Sequence, residues 1–249
     1  MEFTQDILNA ALAPRSVCFF PQVGSTNDLA LEWLSADAPT GSIIIADEQL
    51  TGRGRLGRGW YSPPGSALFV SMILRPSVDF HTQMTMLAAV AISDMLRQVG
   101  ATEVGIKWPN DVLLHGKKVA GILPEAIWQD EQLQGVVLGM GINVRTDFTN
   151  TALADKAISI EAALGQTVNR LDLVLTLLNR LDHWYGSLGE TLFTAWRNRL
   201  STLSTTVSIQ TAEGTVTGVA EDVDADGALW VRLADNGVQR ILVGDVSRG

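Results

Sequence analysis

The chain is short of the residues that build most metal and redox centres. It holds one cysteine, Cys18, so neither an intrachain disulfide nor a cysteine metal cluster is available. That thiol lies in the apolar run Val17-Cys18-Phe19-Phe20, where a buried, inert role is expected. The three histidines, His81, His115 and His183, are scattered without metal-ligand spacing. Positive charge is also scarce. Eighteen basic residues face 27 acidic ones, a net charge of −9, which argues against a general nucleic-acid surface. No long apolar run is present, and the most apolar stretch, Met84 to Ile92, is too short to span a bilayer. Glu2 and Asp6 interrupt the start, so no signal peptide is read there and the cytoplasm is the expected compartment. What remains, 46% hydrophobic and 18% charged residues over 249 positions, suits a soluble globular chain of one or two domains with a sizeable core.

Against this acidic background one stretch stands out. Gly52 to Trp60 reads GRGRLGRGW, four glycines and three arginines in nine residues. Each interior glycine costs a helix up to about 1 kcal/mol relative to alanine. Arg53, Arg55 and Arg58 resist unpaired burial. The stretch is therefore expected to be a mobile loop that closes around an anion, with backbone N–H groups and guanidiniums facing the ligand. Gly52, Gly54 and Gly57 spell G-x-G-x-x-G, but Tyr61-Ser62-Pro63-Pro64-Gly65 follows and ends any helix, which excludes a dinucleotide fold. The HRD and DFG triplets of kinases are missing as well.

Taken in order, the pattern predicts a short helix within residues 1–15, a strand at 17–21, and a helix whose start falls at Ser25 or Thr26. Strands are expected at 41–46 and 67–74, and a helix at 80–99 with a wide apolar face. Residues 104–144 read as a meander of mainly antiparallel strands, with a turn at Gly139, Gly141 and Asn143. Helices return near 159–165, 171–188 and 192–200. Beyond residue 204 the helical period stops and four short strands are expected, with hairpin turns at Asp224-Ala225-Asp226-Gly227 and Asp235-Asn236-Gly237. The first turn superficially fits a calcium loop but lacks the later glutamate. The fold class expected is α+β, a mixed and mainly antiparallel sheet packed with helices over residues 1–203, plus a small C-terminal β-barrel over 204–249.

The polar features fall at strand ends: Ser25-Thr26-Asn27, Gln49, the arginine loop, Lys107 with Asn110 and Asp111, Lys118, and Asn143. As a set they suit activation of a carboxylate by a nucleotide. Attack of one anion on another needs positive charge at the pentacoordinate phosphorus, which Lys107, Arg53 and Arg55 are placed to supply. It needs Mg²⁺ on the leaving pyrophosphate, for which Asp111 and Asn110 are suitable neighbours. It also needs a lid against water.

These motifs carry a resemblance to a known family. STN at 25–27, GRGRLGRGW at 52–60, KWPND at 107–111, KVAGIL at 118–123 with Glu125, and GMGIN at 139–143 are together similar to the biotin protein ligases, and the C-terminal block resembles that family's SH3-like barrel. The resemblance implies a class II synthetase-like catalytic domain and a two-step reaction. Biotin and ATP give biotinyl-5′-AMP and pyrophosphate, and the biotinyl group then passes to a lysine of a biotin carboxyl carrier protein. It implies that Ser25, Thr26, Asn27 and Gln49 hold biotin, and that Arg53, Gly54 and Arg55 fold over biotin and the adenylate phosphate. Lys107 would contact both carboxylate and phosphate as the main electrostatic catalyst. Trp60, Arg58, Asn110, Lys118 and Asn143 fall to the nucleotide, and Asp111 to Mg²⁺.

Two departures accompany the match. Leu56 stands where many relatives have arginine, and tuning of the loop is expected from it. The catalytic motifs begin within about 20 residues of the start, so a monofunctional ligase with neither a DNA-binding domain nor a nucleic-acid or membrane partner is expected. Monomer and homodimer both stay open, as does the role of the barrel. A lipoate–protein ligase shares the architecture, and a non-catalytic biotin or nucleotide sensor would share the pocket. The loop arginines with KWPND favour the biotin enzyme.

Overall fold

The computed structural model describes residues 3–248, with the side chains of Leu56 and residues 247–248 outside the description. The departure at Leu56 therefore lies outside the described side chains. Thr4 caps the first helix, α1 (Gln5–Leu12), its hydroxyl accepting from the Ile7 amide at 3.2 Å. The chain continues through β1 (Val17–Phe20), α2 (Thr26–Ser35), β2 (Ile43–Ala46), β3 (Ala67–Leu74) and α3 (Met84–Gln98). β4 (Val104–Lys107), β5 (Asp111–Leu114), β6 (Lys117–Gln129) and β7 (Gln132–Asn143) form the expected meander. α4 (Ile160–Leu164), α5 (Arg170–Tyr185) and α6 (Glu190–Arg197) complete the larger unit.

The seven strands form one sheet in the order β1-β2-β3-β7-β6-β5-β4, with β1 and β2 parallel and the remaining pairs antiparallel. Alternation sorts its side chains. Ile43, Ile45, Leu68, Val70, Leu138, Met140 and Ile142 enter the main core with α1, α3 and α5. Ile44, Ile73 and Val137 face the other way, against Ala30 and Leu34 of α2. The α2 face is the one that carries the site, because there β6 and β7 present glycines where the core face presents Met140 and Ile142.

Five further strands, β8 (Thr206–Thr211), β9 (Gly214–Val223), β10 (Leu229–Arg232), β11 (Val238–Ile241) and β12 (Asp245–Arg248), make an antiparallel sheet in the order β11-β10-β9-β8-β12. Four strands were expected, and β12 is the addition. Its four residues pair with β8, and this pairing carries the last segment back toward the large sheet. The two sheets are joined through Trp108. That side chain is fully buried, its backbone N–H donates to Thr202 Oγ1 at 2.9 Å, and its indole N–H donates to the Gly227 carbonyl at 2.8 Å.

Other expectations change in detail. The long helix begins at Met84, after a 3-10 segment over Val78–Gln83. GMGIN at 139–143 is the end of strand β7, not a turn. The residues pair with both β3 and β6, so the glycines mark close approach from above the sheet and not a change of chain direction. The Asp224–Gly227 turn holds an arginine: Asp224 and Asp226 bind Arg240 at 2.6 and 2.8 Å.

Candidate active site

A cavity of about 270 Å³ lies over the glycine-bearing face of β6 and β7. One end is built by the start of α2. Ser25 is the N-cap, yet its hydroxyl makes no capping bond, and it lines the cavity. The Thr26 amide and hydroxyl both donate to Gln49 Oε1, at 2.7 and 2.9 Å. Ser71 of β3, wholly buried, places its Oγ 2.8 Å from Thr26 Oγ1 and 2.6 Å from Asn27 Oδ1. Asn27 donates through Nδ2 to Glu125 Oε2 at 2.5 Å and to the Leu123 carbonyl at 3.2 Å. Glu125 in turn binds Arg53 at 3.2 Å, and Asp28 binds the same guanidinium at 2.6 Å. The hydrogen bond that Arg53 donates to Asp28 leads in raising its proton affinity, with Glu125 adding to it against partial desolvation. A continuous polar chain thus runs from Gln49 to the arginine loop.

That loop is structured here. Arg55–Gly57 forms a 3-10 turn, Gly54 N–H donates to the Arg58 carbonyl at 2.7 Å, and Trp60 N–H donates to the Gly52 carbonyl at 3.0 Å. Gly57 sits at φ 70°, a conformation that favours glycine. The three arginines diverge. Arg53 is held at the α2 end. Arg55 reaches Asn110 Oδ1 at 3.4 Å and the Gly244 carbonyl at 3.3 Å, while Arg58 pairs with Asp245. Burial lowers the proton affinity of Arg55, partly offset by Asp245 and Asp111. The hydrogen bond to Asp245 raises that of Arg58.

Trp60 lies against the sheet. A Cβ at Gly121 would approach its ring to 2.7 Å, and one at Gly141 to 3.0 Å. A Cβ at Gly139 would overlap the Asn27 amide. Lys118 Nζ stands 5.4 Å from the Trp60 ring centroid and 2.6 Å from Asp111 Oδ1. Two polar atoms in this cavity have no partner although they are buried, Trp60 Nε1 and Asn143 Oδ1. Asn143 spends its amide N–H groups on the Lys118 and Ile158 carbonyls, at 3.4 and 3.3 Å, which fixes the free oxygen in place.

The cavity brings together Ser25, Thr26, Asn27, Gln49, Arg53, Gly54, Arg55, Arg58, Trp60, Asn110, Asp111, Lys118 and Asn143. Lys107 is not among its lining residues. It stands opposite Asp111 on β4, the outermost strand, one strand farther from the cavity floor than β5. What KWPND delivers to the lining of the cavity is Asn110 and Asp111, and the lysines that line it are Lys118 and Lys156. Sequence reasoning did not find Ser71, Phe148, Leu153, Lys156, Ala157, Gly244 or Asp245. Ser71 looks like a core position in an apolar strand. The 148–157 segment has no motif and is brought in by the backbone bridge between Lys118 and Ala157. Asp111, the candidate for Mg²⁺, already has one oxygen on Lys118, and no group of three or more potential metal ligands occurs among the described residues. A lone carboxylate fits a Mg²⁺ that arrives on nucleotide phosphates, not a dedicated protein cage.

Residues 19–143 match the sequence model of the Biotin/lipoate A/B protein ligase family, and residues 205–249 match that of the Biotin protein ligase C terminal domain. The bifunctional ligase/repressor BirA of Bacillus subtilis is 33% identical over 236 residues, 91% of this chain and 72% of that protein. The biotin–[acetyl-CoA-carboxylase] ligase of Mycobacterium tuberculosis is 33% identical over 254 residues, 96% of this chain and 91% of its own length. The fold is shared with the biotin protein ligase of Aquifex aeolicus solved with biotin and ATP, at a TM-score of 0.79 and 23% identity over 94% of this chain and 99% of that one. The chain belongs to the biotin protein ligase family.

Ser71 is the hidden member of the polar chain, and its replacement tests that chain. Ser71→Ala leaves Asn27 Oδ1 buried without its donor, and is expected to lower unfolding stability by about 1–3 kcal/mol. Chemical denaturation measures this, and an unchanged midpoint would mean that the Ser71 contacts are dispensable.

Proposed function

We propose that the protein is an ATP-dependent biotin–protein ligase, of the biotin–[acetyl-CoA-carboxylase] class. It forms biotinyl-5′-AMP and pyrophosphate, then transfers biotin to a lysine of a carrier protein. The observation that carries this reading is one cavity with a hydrogen-bonding end at Thr26, Asn27 and Gln49, a cationic middle at Lys118 and Arg55, and an aromatic end at Trp60 with the free Asn143 oxygen.

Each part answers a physical requirement. A ureido ring carries two N–H donors and a carbonyl, and the first end offers hydroxyls and amides to both. A dithiolane has no such groups and can make none of the hydrogen bonds that this end offers, and a hydrogen-bonding site discriminates against such a ligand. This disfavours lipoate. In the middle, the carboxylate oxygen attacks the α-phosphorus in line with the departing pyrophosphate. Lys118 neutralises the approaching anions, and Asp111 holds its ammonium at the floor. Arg55 and Arg58 face the phosphates from the loop. The leaving pyrophosphate carries Mg²⁺ as part of the nucleotide substrate, with Asp111 and Asp245 the carboxylates that line the cavity. At the far end, an exocyclic amino group would satisfy Asn143 Oδ1, and Trp60 offers a face for the base. Loop backbone and Trp60 keep water from the acyl phosphate.

In this reading residues 1–203 are the catalytic unit and 204–249 a C-terminal unit that closes the phosphate end. The acceptor is a biotin carboxyl carrier domain, and the reaction takes place in the cytoplasm without a nucleic-acid partner. No helix among the described residues is long and apolar enough to cross a membrane. A second copy of the chain would find its strand edge on β6 beyond Ile122, whose backbone is still held by Asn110, and sedimentation equilibrium distinguishes monomer from dimer.

Incubation with biotin, Mg·ATP and an apo carrier domain is expected to add one biotinyl group per carrier, read by mass. Lys118→Ala is expected to slow adenylate formation by about 10²–10³-fold, as the loss of one preorganised cationic donor does. Lys107→Ala should retain adenylate formation within about tenfold, since its charge acts from one strand away. The reverse ranking of the two lysines would return the catalytic role to Lys107.

A further inference from the structure

A second cavity, of about 210 Å³, opens between the start of α3, the Pro109 turn and the C-terminal sheet. It shares Arg55, Asn110 and Leu123 with the main cavity, so those side chains stand between the two beside the cationic middle of the site. The ligation described above fills the main cavity with biotin and nucleotide and gives the second one no part. Resting on that reading, we propose that the second cavity is the entrance through which the acceptor lysine side chain reaches the acyl-adenylate.

The transfer step sets the need. Once the adenylate has formed, the main cavity holds the biotinyl group at one end and AMP at the other. A nucleophile must then arrive at the acyl carbon through a different wall. The second cavity adjoins the first across Arg55, Asn110 and Leu123, and its chemistry suits a lysine. Met86, Pro109, Leu123, Pro124 and Leu242 give it an apolar lining, which matches a four-carbon stem. Leu242 is 53% exposed and its neighbour Val243 59%, so the outer rim is open to a protein partner. Asp226, the one acid among the residues lining this cavity, is exposed at the rim and already holds Arg240 at 2.8 Å, so the rim carries a balanced pair and no net barrier to a cation. At the inner wall the charge is positive. Among the described residues Arg55 has an amide oxygen and a carbonyl oxygen as its hydrogen-bond partners, at 3.4 and 3.3 Å, and no carboxylate in contact.

An ammonium moving inward therefore leaves water, enters an apolar passage and meets a like charge. Both effects favour the neutral amine, which is the nucleophile. The proton lost on entry goes to solvent at the rim. The amine nitrogen then attacks the acyl carbon, and the C–N bond forms as the C–O bond to phosphate breaks. AMP leaves with that electron pair, and the second amine proton passes to the departing phosphate oxygen. No oxidant or further reactant is required.

The test separates the two half-reactions. Pyrophosphate release with biotin and Mg·ATP, without carrier, reports adenylate formation. Transfer from preformed biotinyl-adenylate to an apo carrier domain reports the second step. Leu242→Trp narrows the rim from an exposed position, and Thr82→Lys and Thr82→Glu change the charge of the passage in opposite senses at one residue. Leu242→Trp and Thr82→Lys are expected to lower transfer to the carrier by roughly tenfold or more, while Thr82→Glu stays within about twofold of the parent or exceeds it, and adenylate formation stays within about twofold in all three. Equal losses in Thr82→Lys and Thr82→Glu, unchanged transfer in both Leu242→Trp and Thr82→Lys, or adenylate formation that falls in step with transfer would overturn the proposal. Failure of the parent protein to release pyrophosphate with biotin would instead overturn the ligase reading beneath it.

Discussion

A strip of bare backbone is the constraint on which the site depends. Residues 121, 139 and 141 carry no side chain on the α2 face of the sheet, and Trp60 and the Asn27 amide occupy the space that a Cβ would need. Protein interiors are packed to the density of organic crystals, so such space cannot be recovered by a small shift of a rigid strand. The two strands are locked by pairing on both sides, β7 against β3 and β6 against β7. A side chain at any of the three positions would move the tryptophan, the asparagine or the sheet. With the strip in place, the floor is flat, the indole lies over it, and Lys118 stands at its edge beside Asp111.

The rest of the site is held by charge and hydrogen bonds arranged around that floor. Each loop arginine has a different anchor: acids at the α2 end for Arg53, oxygens of Asn110 and Gly244 for Arg55, and Asp245 of the C-terminal sheet for Arg58. One loop therefore ties the ring end of the cavity to the C-terminal unit. Trp108 makes the same connection from below, with its indole on the Gly227 carbonyl. The C-terminal sheet is consequently part of the wall of the site through Gly244 and Asp245. Exposed ion pairs of this kind contribute little stability singly. Their value here is geometric, since they aim three cations in three directions.

Much of this was legible from residue types alone. Glycine and arginine in GRGRLGRGW announced an anion-binding loop, and the strand order within 104–144 followed from alternation and turn residues. The glycines of GMGIN looked like a turn because glycine has two uses, reversal of the chain and close approach of another group, and the spacing alone does not choose between them. KWPND drew attention to Lys107 because lysine is the chemically active member of the motif. Its place on the edge strand, in register with Asp111, is visible only from the sheet order, as is the place of Lys118 in the cavity lining beside that same acid. Ser71 and the 148–157 segment had no local signal at all. Their roles come from what the fold sets opposite them.

The central claim is that this cavity joins a biotin carboxylate to the α-phosphate of ATP. Exchange of labelled pyrophosphate into ATP, with purified protein, Mg²⁺ and no carrier, measures that step and its reversal directly. The account predicts exchange that requires biotin and does not occur with lipoate. Exchange supported by lipoate, or none with biotin from folded protein, would contradict it.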